Sequence, residues 1–318
     1  MKSSFEIRNG QVVESANEQA SILVYVAPDY QEKRQITETF SLDPYNLDSA
    51  LDPDEVSRLE VAPDQVSIIW KRPGSATTVN DQFRLDVSSL GLFLNRDRLV
   101  IVLSEGSVPF SAKEFSGVSS NTDILLRFLL HMVRHYVGHL KVIKQISVAL
   151  ESKITSSMEN RYLLQMFTLS ENMVYYLDAI EANGSVLTRL RSLCERLALQ
   201  KEQIDLLDDI IVENNQCARQ AQIYSLVLSG LMDARGSIVN NNMNVLLKNL
   251  MLINIIFLPL TLIASIGGMS EFTMMTTGVD WRVSYAVFFV GMGVLGWATW
   301  RLVIRLILAN QTKTTNGG

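Results

Sequence analysis

Residues 240–270 read N-N-N-M-N-V-L-L-K-N-L-M-L-I-N-I-I-F-L-P-L-T-L-I-A-S-I-G-G-M-S, and they open the part of the chain that decides its fold. The 19 residues 250–268 carry no charge, and neither do the 18 residues 283–300. Each run is long enough to cross the hydrocarbon core of a bilayer as a helix. The link 269–282 is too short to hold a domain. The two runs therefore predict a membrane hairpin that crosses and returns.

Polar residues interrupt the first run at regular intervals. One helix face, termed the stripe, carries residues spaced alternately three and four apart: Asn244, Leu247, Met251, Asn254, Leu258, Thr261, Ser265 and Gly268. An unpartnered asparagine is costly in lipid, so this face should contact protein or water. Two interpretations stay open. The stripe is either a seam between two helices held by polar side chains, or one wall of a pore that several identical helices enclose.

Two segments of this region resemble the first membrane helix of CorA-type divalent-cation channels. They are residues 224–244, Y-S-L-V-L-S-G-L-M-D-A-R-G-S-I-V-N-N-N-M-N, and residues 257–270, F-L-P-L-T-L-I-A-S-I-G-G-M-S. The family signature is Gly-Met-Asn preceded by an aromatic residue. The matching positions here are Gly268, Met269 and Ser270, preceded by Gly267. A CmaX-like or ZntB-like branch of the family is also consistent with the resemblance.

The resemblance implies a homopentameric inner-membrane channel for a divalent cation, Mg²⁺ or one of Zn²⁺, Co²⁺ and Ni²⁺. Its fold class would be α+β with a membrane part: a cytoplasmic α/β domain, a long helical stalk and two transmembrane helices per subunit. Oxygens on the path would come from Asn244, Asn254, Thr261, Ser265 and Ser270. Apolar constrictions that exclude water would come from Leu247, Leu250, Met251 and Leu258.

Ser270 is the position where the chain departs from the family signature. A serine hydroxyl reaches less far than an asparagine carboxamide toward a hydrated ion, and Mg²⁺ gives up its waters reluctantly. The substitution therefore makes Mg²⁺ selectivity doubtful. It also favours the alternative of a membrane-anchored scaffold or sensor that keeps the fold and conducts nothing.

Charge and composition indicate the topology and exclude some functions. The first ten residues contain no apolar core typical of a signal peptide. Lys248 precedes the first run, and Arg301 and Arg305 follow the second, so both termini are expected in the cytoplasm of a multi-pass inner-membrane protein. The net charge of −5 argues against a nucleic-acid partner. We find no catalytic motif in the sequence and expect neither enzymatic activity nor a cofactor.

The expected domain order is a cytoplasmic α/β domain at 1–118, a helical stalk region at 119–249, transmembrane helices at 250–268 and 283–300, a periplasmic loop at 269–282 and a cytoplasmic tail at 301–318. Within the first domain, residues 21–27 and 66–71 read as strands, the latter closed by Pro73-Gly74. A hairpin is predicted around Asn95-Arg96-Asp97, and a helix start at Asp52-Pro53.

Three long helices are predicted after residue 119. The first begins at Asn121 and breaks near residues 155–157. The second ends at Asn183-Gly184-Ser185, which is the clearest stop signal in the region. The third begins near Gln200 and, if continuous to Gly267, is about 100 Å long at 1.5 Å per residue.

Three further clusters are candidate cation sites, each with a simpler alternative. Asp205, Asp208 and Asp209 lie at the start of the stalk, with only Lys201 nearby in sequence, and are a regulatory metal site or a solvated acidic face. Glu271 and Asp280 in the outer link form acidic rings in an oligomer or are simply solvated. The third cluster shares one helix face at four-residue spacing and is a weak transition-metal site or a solvated or interface stripe: His131, His135 and His139.

Overall fold

The computed structural model describes residues 1–17, 19–79, 82–95, 97–108, 110, 113–156 and 160–315. The chain divides into two compact units, Met1–Asp233 and Ala234–Gly318, which are described separately as the first unit and the membrane unit.

The first unit is built on a seven-stranded sheet, counted over the described residues, in the order β2-β1-β3-β7-β6-β5-β4. Its strands are β1 (Lys2–Arg8), β2 (Gln11–Glu14), β3 (Ile22–Val26), β4 (Arg58–Ala62), β5 (Gln65–Val79), β6 (Gln82–Asn95) and β7 (Leu99–Leu103). Strands β3 and β7 pair in parallel, and every other described pair is antiparallel. The predicted strand at 21–27 and the predicted hairpin are confirmed as β3 and the β6–β7 pair, although Arg96 itself lies outside the described residues.

Strands β3 and β7 are apolar throughout because helices cover both faces of the sheet. One face packs on α1 (Tyr30–Phe40) and α2 (Pro44–Leu51), where Leu23 and Val102 join Phe40 and Leu47 in one core cluster. Alternate strand residues point to the other face, where the long helices pack. The fold is therefore a three-layer arrangement with the sheet in the middle.

The other face packs on α3 (Asn121–Ser156), α4 (Asn160–Ser192) and the start of α5 (Lys201–Gly267). A second core cluster joins the three helices to one another and to Leu85 of β6, with Tyr136, Met173 and Cys217 among its members. The predicted helix start near Gln200 is confirmed, and α5 runs without interruption from Lys201 to Gly267, so the condition for a single long helix is met.

A reciprocal hydrogen-bond pair begins helix α3. The Asp123 backbone N–H donates to Ser120 Oγ (3.1 Å), and the Asp123 carboxylate accepts from Ser120 N–H (3.1 Å). Burial by itself raises the pKa of Asp123. The hydrogen bonds that its carboxylate accepts from Ser119, Gln203 and Ser120 outweigh burial and leave the pKa below its ordinary value.

The predicted helix start at Asp52-Pro53 is wrong, because the preceding Asp-Pro pair has that role. Asp43 accepts a hydrogen bond from Tyr45 N–H (2.9 Å) at the N-cap of α2, and Pro44 is the first helical residue. Asp52 instead ends the helix, since its backbone N–H donates to Asp48 O (3.1 Å). Both pairs carry the same local signal, and packing of Leu47 and Ala50 on the sheet selects the first.

The predicted end of the strand at Pro73-Gly74 is also wrong, since β5 continues to Val79. The ladder with β6 shifts register between Pro73 and Ala76, as at a β-bulge. Strand β4 pairs only as far as Ile69. Among the described strands, none pairs with the other side of β5 at Pro73, so the N–H that proline lacks breaks no described ladder on that side.

The predicted helix end at Asn183-Gly184-Ser185 is wrong as well, because α4 continues to Ser192. Asn183 is fully buried, and its side chain hydrogen-bonds to residues that are distant from it in the sequence. Its Nδ2 donates to Lys71 O (2.8 Å), and its Oδ1 accepts from Lys71 N–H (3.1 Å) and Ser57 Oγ–H (2.8 Å). A Cβ on Gly184 would lie 3.0 Å from Asn214 Nδ2, so this glycine permits close packing of α4 on α5.

The membrane unit contains the last part of α5, the short helix α6 (Ser270–Met275) and α7 (Trp281–Thr315). In the part of the chain that the structure describes, two helices are long and apolar enough to cross a membrane, within Lys201–Gly267 and Trp281–Val303. Only 6% of each apolar window is buried inside the chain, unlike the core helix of a soluble protein. The apolar surface of both helices is thus open to lipid or to other chains.

Candidate ion pathway

The stripe is uncovered along its whole length. Each of its eight residues is exposed among the described residues, with Leu258 at 69% and Met251 at 63% of their full accessibility. Leu250, which was predicted to join the apolar constrictions, is also exposed. A helix face that carries asparagine and hydroxyl side chains and is left exposed by the described residues of its own unit is available to water or to another subunit.

Helix α7 covers the opposite face of α5. A Cβ on Gly267 would lie 2.5 Å from the Phe288 ring, and one on Gly296 would lie 3.5 Å from Leu260 Cδ1. Leu260 and Gly267 each follow a stripe residue by two positions, which is about 200° around the helix. The hairpin therefore orients the stripe away from α7.

The stripe alternates polar groups with apolar ones. Thr261 donates its hydroxyl to Phe257 O (2.8 Å), which satisfies the donor within the helix and leaves oxygen lone pairs for a passing water shell. Asn254 lies two turns before Thr261, and Ser265 one turn after it. Leu258 lies between Asn254 and Thr261. Such an arrangement offers oxygen sites separated by an apolar step.

The Gly-Met-Ser segment forms the C-terminal end of the stripe. Helix α5 ends at Gly267, and Gly268 N–H donates to Ala264 O (3.1 Å) and Ser265 O (3.2 Å). Met269 N–H donates to Ile266 O (3.1 Å), and Ser270 begins α6 as an exposed residue. The structure thus places Ser270 at the end of the stripe, where the resemblance predicts the selectivity motif.

Of the two carboxylates in the link 269–282, Asp280 has defined hydrogen bonds. Asp280 is exposed and caps α7, since Asp280 Oδ1 accepts from Arg282 N–H (2.9 Å) and Asp280 O from Val283 N–H (3.0 Å). The side chain of Glu271 lies outside the described residues. Asp280 therefore stabilises the N-terminus of α7, and its place in an acidic ring stays a prediction.

The acidic start of α5 has more basic neighbours than the sequence indicated. Arg191 on α4 binds Asp208 through Nε (2.5 Å) and a second nitrogen (3.1 Å). Asp205 and Asp209 are exposed on the same helix. Within the described residues, no group of three or more His, Cys, Asp or Glu side chains is arranged to hold a metal ion. The regulatory cation site at these residues therefore stays a prediction.

The three histidines each have a different neighbour. His139 Nδ1 lies 2.7 Å from Tyr176 Oη, and His131 Nδ1 lies 3.7 Å from Glu114, an acidic neighbour that the sequence did not reveal. Burial lowers the pKa of His135 to about 4, and it also lowers the pKa of His139. The His131–His135 and His135–His139 ring centroids are 6.5 and 4.5 Å apart. The geometry of the described residues favours the solvated or interface stripe over a metal site.

Sequence reasoning missed the contact that orients the stripe. Periodicity identified the face, but not the partner of the opposite face, Phe288 against Gly267. The available signal was the density of glycine in the second run, at Gly291, Gly293 and Gly296, because small residues let membrane helices approach closely.

Comparison with known sequences adds an independent line of observation. A family described as CorA-like Mg²⁺ transporter protein matches residues 17–305. The cobalt/magnesium transport protein CorA of Methanocaldococcus jannaschii is 22% identical over 282 residues, which cover 83% of this chain and 86% of the relative. The protein of the same name from Thermotoga maritima is 30% identical over 174 residues, or 54% of this chain and 49% of the relative.

Comparison with solved structures shows a shared fold. The complete CorA magnesium transporter from M. jannaschii has a TM-score of 0.71 at 19% identity and covers 96% of each chain. Full-length CmaX has a TM-score of 0.70 at 12% identity, covering 95% of this chain and 96% of CmaX. At these identities the likeness concerns the fold.

Proposed function

Because this chain belongs to the family of CorA-like Mg²⁺ transporter proteins, we propose that it forms a homopentameric channel for divalent cations, with α5 lining the path. The single observation that carries the proposal is the uncovered stripe. One hairpin cannot enclose water, whereas five stripes facing a common axis convert a costly lipid-facing surface into a pore wall.

The proposed path has oxygen sites at Asn244, Asn254, Thr261 and Ser265, and it is constricted by the stripe leucines and Met251. Ser270 forms its outer end. The cation is Mg²⁺ or a transition ion such as Zn²⁺, Co²⁺ or Ni²⁺, and the serine hydroxyl admits them with little discrimination. Asp205, Asp208 and Asp209 are the proposed regulatory cation site, completed by a neighbouring subunit.

The proposed location is the inner membrane, with both termini in the cytoplasm. Lys248 lies at the start of the first apolar run, and Arg301 and Arg305 at the end of the second, which is the distribution that keeps these ends inside. A reporter fused after Gly318 should be active in the cytoplasm, and activity confined to the periplasm would contradict the topology.

The decisive experiment is cation flux into proteoliposomes, with a pair of matched threonines. Thr261 and Thr299 both donate their hydroxyls to the carbonyl four residues earlier, Phe257 O (2.8 Å) and Leu295 O (3.0 Å). Only Thr261 lies on the stripe. Thr261→Val should lower flux about fivefold, the equivalent of one net hydrogen bond of about 1 kcal/mol, whereas Thr299→Val should leave it unchanged.

Two outcomes would count against the proposal. A stable monomer by mass measurement in nanodiscs would exclude a pore between subunits. A correctly assembled oligomer that passes none of Mg²⁺, Zn²⁺, Co²⁺ and Ni²⁺ would favour the alternative function, a scaffold or sensor. The observation that favours this alternative is Ser270 in place of the signature asparagine.

A further inference from the structure

An apolar groove lies between the two long helices of the membrane unit, on the side that the proposed pathway does not use. It has a volume of about 550 Å³. One lining residue, Ile255, belongs to α5, and the others belong to α7: Gly291, Val294, Leu295, Ala298, Thr299, Leu302 and Val303. The lining residues of α7 recur every three or four positions, so they form one helix face. The groove is deep at Gly291 and Ala298 because these two residues have the smallest side chains on this face.

Two arginines lie at one end of the groove. Arg305 follows Leu302 by three residues and Ala298 by seven, so it continues the groove face by one more turn. Arg301 lies beside it, and its guanidinium carbon is 4.7 Å from the Trp297 ring centroid. Both arginines are exposed, and Trp297 is 61% exposed. An aromatic ring and a cation at this depth are typical of the boundary between hydrocarbon and headgroups.

The charge at this end of the membrane unit has one sign. The sequence holds Arg235 and Lys248 but no acidic residue from Ala234 to Ser270, and four basic residues but no acidic one from Trp281 to Gly318. Glu271 and Asp280, the two acidic residues of the unit, both lie in the link at the opposite end. No Asp or Glu side chain of residues 234–270 or 281–318 therefore competes for Arg301 and Arg305.

From the groove and its arginines we infer that the membrane unit binds an anionic phospholipid, with an acyl chain in the groove and the phosphate at Arg301 and Arg305. The occupant is a lipid because the groove is apolar and its end is cationic, a complement that neither a neutral lipid nor a second apolar helix provides. Given the proposed topology, the lipid belongs to the inner leaflet, where anionic headgroups attract basic side chains at about 1 kcal/mol each.

Native mass spectrometry of the full-length protein in detergent tests the inference, with phosphatidylglycerol and phosphatidylcholine of identical acyl chains as probes. The wild type should bind phosphatidylglycerol about 25-fold more tightly than phosphatidylcholine, at about 1 kcal/mol for each of the two arginines. Arg301→Gln and Arg305→Gln should each weaken phosphatidylglycerol binding about fivefold and leave phosphatidylcholine binding unchanged. The matched control is Arg282→Gln, because Arg282 lies 5.5 Å from the Trp281 ring at the other end of the same helix.

Filling the groove tests the acyl-chain half of the inference. Ala298→Leu should weaken binding of long-chain phosphatidylglycerol but not of a six-carbon-chain analogue, and Val294→Trp provides a second filler if the first does not assemble. Equal binding of both lipids by the wild type, or an equal loss in Arg282→Gln, would overturn the headgroup site. If fillers dissociate the oligomer and leave lipid binding unchanged, a neighbouring copy occupies the groove and the inference is wrong. None of these measurements depends on cation flux.

Discussion

Replacing Asn183 with alanine should strongly destabilise the first unit. The side chain is fully buried and joins α4 to β5 across 112 positions of the sequence. Its Nδ2 donates to Lys71 O, and its Oδ1 accepts from Lys71 N–H and Ser57 Oγ–H. Alanine removes all three hydrogen bonds at once while leaving the helix backbone unchanged.

The expected loss of unfolding free energy follows from what stays buried. Lys71 N–H keeps a second acceptor, Ser57 Oγ at 3.2 Å, so this N–H loses only one of its two hydrogen bonds. Lys71 O loses its carboxamide donor, and a buried polar group left unpaired costs about 1–3 kcal/mol. The small cavity left by the carboxamide adds to this cost. Together these contributions lower the free energy of unfolding by about 3 kcal/mol.

Urea unfolding of the detergent-solubilised protein, followed by tryptophan emission, measures the effect. Trp70 is fully buried beside Lys71 and should report the loss of this packing. With a slope of about 3 kcal/mol per molar urea, the midpoint falls by about 1 M. Asn215→Ala is the matched control, since Asn215 is an exposed asparagine on α5.

Asn183→Asp provides a second comparison. A carboxylate at this position accepts but cannot donate, so it faces Lys71 O with a buried charge and should destabilise more than alanine. If Asn183→Ala shifts the midpoint no more than Asn215→Ala does, the carboxamide is not what holds β5 to α4. If aspartate is tolerated better than alanine, the assigned donor to Lys71 O is wrong.

Four further changes test the pathway, the hairpin and the start of α3. Leu258→Ser should wet the proposed constriction and raise cation flux in proteoliposomes, or relieve inhibition by internal cations. Ser270→Asn should sharpen the preference for Mg²⁺ about fivefold in competition flux, because a longer acceptor gains about one net hydrogen bond to the hydrated ion. Gly267→Val should lower the melting temperature, since its Cβ would meet the Phe288 ring at 2.5 Å, and Phe288→Ala should partly restore it. The pKa of Asp123 is lowered in the folded state, so its stabilising contribution is present above the unfolded pKa and is lost as pH falls through the folded pKa. Asp123→Asn should therefore flatten the acid side of the stability profile in melts between about pH 2 and 5.

Each of these changes has a control or a contrary outcome. Ile253→Ser is the comparison for Leu258, because Ile253 is exposed but off the stripe, and equal flux changes would remove Leu258 from the constriction. An unchanged ion ranking after Ser270→Asn would show that Ser270 is not part of a filter. Gly278→Val should be tolerated, since its Cβ has no atom within 4 Å among the described residues. If the stability of the Asp123→Asn variant depends on acid pH as that of the wild type does, protonation of Asp123 does not cause the loss of stability at low pH.

Local sequence was sufficient for features that depend on a short stretch of backbone. The charge-free runs predict both long apolar helices, because length and lack of charge alone decide whether a helix suits a bilayer. The uninterrupted α5 is consistent with the scarcity of breakers over its course, where Gly230, Gly236 and Pro259 are tolerated within the helix. The spacing of Asn254, Thr261 and Ser265 predicts one face, and the structure leaves that face uncovered.

Only the tertiary structure decided which local signals are used. Asn183-Gly184 reads as a helix end in isolation. In the folded chain the Asn183 side chain hydrogen-bonds to Lys71 and Gly184 packs close to Asn214, and α4 continues through both residues. Asp43-Pro44 and Asp52-Pro53 carry equal signals for a helix start, and the core beneath α2 chooses between them. Arg191 of α4 forms an ion pair with Asp208 of α5, and the charges near Asp208 in the sequence do not predict this pair.

The physical reason for this division is the range of the interactions. Capping, periodicity and hydropathy act within a few residues, so the sequence displays them directly. A buried carboxamide or a glycine takes its meaning from groups that only folding brings within hydrogen-bond or van der Waals distance, as Phe288 does for Gly267. That contact, distant in sequence, sets the orientation of the stripe relative to α7.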